Sequence, residues 1–229
     1  MSQETKDRLL DAAETLFVRH GIQATSLRSI TGEAGANLAA VNYHFGSKEG
    51  LIRAVLERRL QPLNAYRLEL LDALERRAAQ GGPEPTVEEI LDALVRPAFQ
   101  LSSDSGQRHL ADWTNLLARL HFELDESLID LLVDSFGEAH ERFFGAMLRA
   151  LPELTEKQLL YRMHFTIGAM AMTLVNQRLI ARISKGLISA TDAENAAQRL
   201  INFLAHGFRA PRSQAEQETS TRVFSQEHS

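Results

Sequence analysis

The sequence predicts an all-α fold. Apolar residues recur every three or four positions over most of the chain, which is the spacing of amphipathic helices. Capping residues and Gly or Pro stand at the boundaries between these segments. No segment of useful length shows the apolar–polar alternation of a β-strand. We therefore expect helices alone.

The composition is that of a globular protein with a substantial core. The chain has 229 residues, of which 44% are hydrophobic and 24% are charged. It has no cysteine, which fits a reducing cytosol. The start, MSQETKDRLL, lacks the apolar run of a signal peptide. The longest uncharged apolar segment, residues 163–177, is shorter than the roughly 20 residues that a membrane span needs. We expect a soluble cytoplasmic protein.

The charge of the chain is mildly acidic, with a formal net value of −5. Residues 1–80 carry 11 basic and 10 acidic side chains, and residues 81–229 carry 14 and 20. Any binding of a polyanion must therefore rest on a few placed contacts and on helix N-termini.

The N-terminal region predicts three further helix starts after a first helix. That first helix runs from about Thr5 to His20, with Gly21 ending it and Leu9, Ala13, Leu16, Phe17 and then Ile22 facing a small core. Thr25 or Ser26 caps a helix through Ala34, and Gly35 ends it in the left-handed region. Asn37 caps a helix over 38–44, and Ser47 caps the next one. The residues expected to face inward are Leu27, Ile30, Ala34, Val41 and Phe45.

The rest of the chain predicts longer helices. We expect Pro62 to bend or interrupt the helix that starts at Ser47, because proline lacks an N–H group. Arg58 and Arg59 beside it are expected to be solvated. Loops are predicted at 80–85 and 102–106, and capping boxes at Thr86–Glu89 and Thr155–Gln158. The remaining predicted helices cover residues 86–99, 109–122, 128–151, 155–184 and 191–208.

Residues 5–52 resemble the DNA-binding domain of the tetracycline-repressor (TetR) family, most clearly in LAAVNYHFGSKEGL at 38–51. Two short helices joined by a Gly-containing turn are also a helix-turn-helix pattern, whose second helix can enter a DNA major groove. The stretch NLAAVNYHFGSK is similar to regulators of fatty-acid metabolism within that family. The expected domains are a helix-turn-helix unit (1–50), an effector-binding and dimerisation body (51–210) and a disordered tail (211–229).

The expected recognition helix starts at Asn37. Leu38, Ala39 and Asn42 can approach base edges, since Asn pairs with adenine and small apolar groups suit the thymine methyl. The resemblance places Tyr43, His44 and Lys48 at phosphates; the alternative is that Tyr43 and His44 only cap a small core. Asn42 departs from the aromatic residue usual in the family. The complete DNA-binding set is Thr25, Ser26, Arg28, Asn37, Leu38, Ala39, Ala40, Asn42, Tyr43, His44 and Lys48.

The two C-terminal helices are the expected partner surface. Residues 163–175 are apolar nearly all round, so they need burial on more than one side. A symmetric homodimer through 155–184 and 191–208 would form a four-helix bundle, as the resemblance also implies. The alternative is the central core helix of a monomer. Two copies would present two heads to a palindromic duplex site.

Aromatic and methionine side chains in the body are numerous enough to line an apolar pocket for a small hydrophobic effector. The fatty-acid likeness suggests an acyl chain or an acyl-thioester. Each of these residues has ordinary core packing or a surface position as its alternative role. The candidate effector residues are Phe99, Trp113, Arg119, Phe122, Phe143, Met163, His164 and Ile167, and Arg119, His121 and His164 could orient a polar group.

No catalytic motif accompanies these features. The histidines lack H-E-x-x-H spacing, and neither a phosphate-binding glycine loop nor a G-x-S-x-G elbow is present. We expect no enzyme activity, cofactor or metal. The resemblance implies a ligand-responsive transcriptional regulator of TetR type that represses its target. Two alternatives stay open: a regulator switched by a protein partner, and an all-helical enzyme or carrier.

Overall fold

The computed structural model describes residues 2–103, 126–189 and 192–211. Within these ranges the chain forms helices and no strand, which confirms the predicted all-α fold. None of these helices has an apolar stretch long enough to cross a bilayer. The helices of the described ranges are α1 (Ser2–His20), α2 (Leu27–Glu33), α3 (Leu38–Phe45), α4 (Lys48–Ala79), α5 (Val87–Ser103), α6 (Glu126–Ala150), α7 (Glu156–Val175), α8 (Gln177–Ile183) and α9 (Ala193–Phe208).

Local capping explains where several helices begin. Thr86 and Glu89 form the predicted capping box at the start of α5, with each side chain bonded to the other's backbone N–H. Thr155 and Gln158 do the same for α7. The carboxylate of Asp192 accepts from the N–H of Asn195 at the start of α9. These boundaries follow from sequence because each cap depends on residues within one helical turn.

The buried side chains form two apolar clusters. The head cluster lies between α1, α2, α3 and the first half of α4, and Leu132 of α6 also packs into it; it includes Leu9, Ala13, Phe17, Ile30, Val41 and Leu56. The body cluster lies between the second half of α4 and helices α5, α6, α7 and α9. The residues of α1 predicted to face inward are buried, which confirms that part of the prediction. α4 contributes to both clusters, and α6 does so as well through Leu132, so these two helices connect the head to the body.

Two predictions about where helices end differ from the structure. The first is that Pro62 would bend or interrupt its helix: α4 continues through Pro62 without interruption, and the bend stays a prediction. Leu60 and Leu63 on either side are buried, and their packing offsets the backbone hydrogen bond that proline cannot make. The second is the helix expected to reach Ser184, which ends at Val175 and resumes as α8 after Asn176. Asn176 ends α7 with its backbone N–H bonded to the carbonyl of Met172, and its side chain does not cap α8.

Three predictions fall wholly or mainly outside the described residues. They are the helix over 109–122, the loop at 102–106 beyond the end of α5 at Ser103, and the tail 211–229 beyond its first residue. The domain division after residue 50 falls in the first turn of α4 and stays a prediction.

Candidate nucleic-acid interface

The turn between α2 and α3 is fixed by local hydrogen bonds. Ser26 caps α2 by accepting from the N–H of Ser29, and Gly35 adopts a φ of +58°, which is unfavourable for residues with a Cβ. The Oδ1 of Asn37 then accepts from the N–H of Ala40 at 2.9 Å, which starts α3. These caps were predicted, and together they fix the direction in which α3 leaves the turn.

α3 buries one face and exposes the other. Val41 is fully buried in the head cluster, and Ala40 and Phe45 pack against that cluster. On the opposite face Leu38 is 49% exposed and Tyr43 is 79% exposed. The exposed side chains of this face are Leu38, Ala39, Asn42 and Tyr43. Four side chains of different chemistry are therefore free to meet a partner surface.

The residues that follow this face lie at the junction of α3 and α4. The ring of Tyr43 meets the ring of His44 edge-on, with centroids 4.9 Å apart. His44 and Lys48 are half-buried. Ser47 caps α4 by accepting from the N–H of Gly50 at 3.1 Å. The N-terminus of α4, with Lys48 as its first residue, thus stands beside the exposed face of α3 and adds its positive dipole end.

The predicted DNA-binding residues at the start of α2 differ in exposure. Ser26 and Arg28 are exposed. Thr25 is only 3% exposed, and its hydroxyl donates to the carbonyl of Gly21 at 2.7 Å. That hydroxyl ties the end of α1 to the helix-turn-helix, so the placement of Thr25 as a phosphate-contacting residue is corrected to a structural position.

A close approach of α3 and α4 was missed in the sequence. A Cβ on Gly50 would lie 2.0 Å from the carbonyl oxygen of Phe45, so the packing needs glycine there. The sequence shows only an ordinary glycine in the first turn of a helix. Nothing in its local pattern reveals the contact.

An ion-pair cluster around one buried carboxylate joins α1 to α4. The carboxylate of Glu14 on α1 is buried and pairs with both Arg58 and Arg59 of α4. Arg58 also donates to Asp11 at 2.8 Å. The expectation that both arginines are merely solvated was wrong. The signal available in the sequence was an acidic residue on the buried face of α1, one turn after Leu10.

The candidate effector residues differ in burial, and some of them lie outside the described residues. Phe99, Phe143 and Met163 are buried in the body cluster, and Ile167 is half-buried. His164 is exposed, so its imidazole does not face the body core and is corrected to a surface position. The candidates Trp113, Arg119 and Phe122, with His121, lie outside the described residues.

Comparison with known proteins places this fold in a family. A model of the tetracyclin-repressor-like C-terminal domain matches residues 92–207, about half of the chain. A model of bacterial regulatory proteins of the tetR family matches residues 9–55. The chain belongs to the TetR family.

Individual relatives agree with this assignment. The HTH-type transcriptional regulator SrpR of Pseudomonas putida is 33% identical over 103 residues, which cover 45% of this chain and 46% of SrpR. The match therefore spans about half the length of that relative. A TetR-family transcriptional regulator from Agrobacterium tumefaciens has a TM-score of 0.55 at 20% identity, over 88% of this chain and 98% of its own.

A second solved structure is that of the fatty acid degradation regulator FadR from Bacillus halodurans. It has a TM-score of 0.52 at 18% identity, over 85% of this chain and 97% of its own. At these identities the two solved structures show a shared fold alone.

Proposed function

We propose that this protein is a DNA-binding transcriptional regulator that reads a duplex through α3. The observation that carries the proposal is that α3 exposes one face and packs the opposite face against the head cluster. The exposed face consists of Leu38, Ala39, Asn42 and Tyr43. A rigid helix with a short polar and apolar face fits a major groove. Asn42 is the base-reading candidate, and Leu38 and Ala39 are candidates for thymine methyl contacts.

Phosphate contacts would hold this helix in register. Ser26 and Arg28 at the start of α2, and Tyr43, His44 and Lys48 at the α3–α4 junction, flank the base-reading face. Both groups sit beside helix N-termini, where backbone N–H groups favour anions. Because the net charge is −5, these placed contacts must replace a broad positive surface.

A symmetric homodimer would double the number of these phosphate contacts with one duplex. Helix α7 buries Leu159 and Met163 but exposes apolar side chains on its other side, and α9 exposes Phe203. This arrangement favours a partner helix pair over the alternative of a monomer's fully covered core helix. The exposed apolar residues of α7 are Leu160, Tyr161, Phe165 and Met172. Two heads would reach successive major grooves, about 34 Å apart, on a palindromic operator.

The response to a small hydrophobic effector would be a population shift. An effector that binds the body cluster would favour an arrangement in which the two heads no longer match adjacent grooves, and repression would be released. The equilibrium between the DNA-binding arrangement and the released arrangement can shift by no more than the difference in the effector's affinity for the two. The helix that would transmit this change is α4, because it starts directly after α3 and continues from the head cluster into the body cluster. An acyl chain or acyl-thioester is the effector class that the sequence resemblance suggests.

The test is a selection from random duplexes about three helical turns long, retained on the purified protein and sequenced. We expect enrichment of an inverted repeat whose halves are one helical turn apart. The matched control replaces Leu38 and Asn42 by Ala, both exposed positions, so that the head stays folded. Recovery of unselected sequence by the unmodified protein would reject the proposed function.

A further inference from the structure

The buried face of α4 carries two polar residues among leucines. Leu60, Leu63, Arg67 and Leu71 follow one another at spacings of three and four, Asn64 lies beside Leu63 on the same face, and all five are buried. Asn64 is 8% exposed and Arg67 is 3% exposed. A cation on the inward stripe of a helix is rare, because burying a charge is costly unless it is paired.

The contacts of these two side chains reach α5, α6 and α7 of the body core. The Nε of Arg67 donates to the carbonyl of Leu94 on α5 at 2.8 Å, and its Nη1 donates to the Oδ1 of Asn64 at 3.3 Å. Its Nη2 lies 3.8 Å from the sulfur of Met170 on α7. Asn64 in turn donates to the carbonyl of Ser135 on α6 at 3.0 Å. Arg67 therefore lies where α4, α5 and α7 meet.

These contacts leave the charge of Arg67 uncompensated within the described part of the chain. Its three contacts there are with neutral acceptors, one of them a weakly accepting thioether. Burial lowers the pKa of Arg67 to about 10, so the guanidinium is still a cation at neutral pH. By contrast, Arg142 on α6 pairs with Asp72 and Glu75.

Among the residues that the structure describes, the guanidinium also leaves some of its N–H groups without an acceptor. It carries five N–H groups in a planar fork, and the contacts above employ three of its nitrogens once each. A carboxylate is the planar acceptor that matches such a fork with two parallel hydrogen bonds. The single negative charge of a carboxylate would also neutralise the single positive charge of Arg67.

The position of this pair along α4 connects it to the head. The α4 residues of the head cluster end at Leu60, and the buried α4 residues of the body cluster begin at Leu71. Asn64 and Arg67 lie in the stretch between them. A group bound to Arg67 would thus act on α4 where the head cluster gives way to the body cluster.

We propose that Arg67, assisted by Asn64, binds the carboxylate of an effector that has an apolar body. The apolar part would extend past Met170, which packs against the body cluster that contains Phe143 and Met163. This proposal rests on the proposed function, which it narrows to anionic effectors. It favours a free carboxylate over an acyl-thioester, since the acyl carbonyl of a thioester is neutral.

The test is isothermal titration of the full chain with three straight-chain carboxylates, octanoate, dodecanoate and hexadecanoate, and with the primary alcohol of each. We expect at least one carboxylate to bind at least tenfold more tightly than its alcohol. Arg67→Met should weaken that carboxylate at least tenfold and leave the alcohol unchanged. The matched control Arg142→Met also removes one positive charge from the body, and it should leave both affinities unchanged.

A second variant covers the case in which Arg67→Met does not fold. Arg67→Lys keeps the charge but loses the fork, and we expect at least threefold weaker carboxylate binding with unchanged alcohol binding. Thermal unfolding of each variant establishes that it is folded. Equal affinity of carboxylate and alcohol for the unmodified protein, or undiminished carboxylate binding by the folded Arg67 variants, would overturn the proposal.

The same preparations separate this proposal from the function on which it rests. Retention of the selected duplex is measured without carboxylate for the unmodified protein and for the Arg67 variants. Duplex retention with no heat from any of the three carboxylates rejects the anionic effector and leaves the DNA-binding proposal intact. If the unmodified protein retains no duplex, the proposed function itself is rejected.

Discussion

Arg58 on α4 donates its Nη2 to the buried carboxylate of Glu14 on α1 at 2.5 Å. Arg59 pairs with the other oxygen of the same carboxylate. Both arginines are about 30% exposed, whereas Glu14 is nearly inaccessible to water. The head is thus fixed to the connecting helix by charge as well as by apolar packing.

The first prediction concerns this carboxylate. Glu14→Gln keeps the shape but removes the charge that two arginines share, so the free energy of unfolding should fall by about 2 kcal/mol. Removing one partner of a fully buried pair typically costs roughly 3–5 kcal/mol, and the partial exposure of the arginines reduces this figure. Urea unfolding measures the change. Asp11→Asn, at an exposed partner of Arg58, should stay within about 0.5 kcal/mol, and equal losses for both variants would contradict the role of Glu14.

The second prediction concerns phosphate contacts. Tyr43→Ala and Lys48→Ala should weaken binding to all duplexes alike. Lys48→Ala should also lower the slope of log affinity against log salt by about 1, because one ion contact is lost. Filter binding over a salt series measures both effects. Arg76→Ala removes an equal charge near the far end of α4 and should change neither; an equal effect there would mean that only net charge matters.

The third prediction concerns base reading. Asn42 is exposed on the outer face of α3 and carries both a donor and an acceptor. Asn42→Ala should relax discrimination at one base pair of each half-site, by about 1–3 kcal/mol, while other positions keep their preference. Repeating the duplex selection with the variant measures this. An unchanged preference at every position would remove Asn42 from the base-reading set.

The local part of the site could be predicted from sequence because its causes are local. Ser26, Asn37 and Ser47 each bond a backbone N–H three residues away, so the capping pattern alone indicates where α2, α3 and α4 begin. Thr25 shows the limit of that reasoning. Its position one residue before the cap did not reveal that its hydroxyl would turn back to Gly21.

The parts that sequence reasoning missed depend on residues far apart in the chain. Glu14 and Arg58 are separated by 44 positions, and Arg67 and Met170 by 103. A polar residue on an apolar stripe indicates that a partner exists but does not identify it. Pro62 is a related case, since buried neighbours on α4 outweighed its local preference to end a helix.

The fourth prediction tests the contact between α3 and α4. Gly50→Ala would place a methyl group 2.0 Å from the carbonyl oxygen of Phe45, so α3 must move relative to α4. We expect the free energy of unfolding to fall by about 3 kcal/mol, at the upper end for overpacked sites. Gly32→Ala is the control, because its Cβ would meet no atom within 4 Å. It should stabilise α2 by up to about 1 kcal/mol, and a Gly50→Ala protein as stable as this control would contradict the contact.

The fifth prediction tests the proposed dimer face. Phe165 on α7 is 62% exposed. If a second copy covers it, Phe165→Glu would bury an unpaired charge in an apolar interface, which is strongly unfavourable. We expect the variant to sediment as a monomer at concentrations at which the unmodified protein is a dimer, as measured by analytical ultracentrifugation.

The matched control for the dimer face is Val133→Glu. Val133 lies on α6, is 64% exposed, and is outside the α7 and α9 surface. This variant should remain a dimer. A monomer also binds a palindromic duplex with one head at a time, so Phe165→Glu should lose roughly two to four orders of magnitude in duplex affinity. A dimeric Phe165→Glu protein, or a monomeric one with full duplex affinity, would show that the exposed face of α7 does not join the two heads.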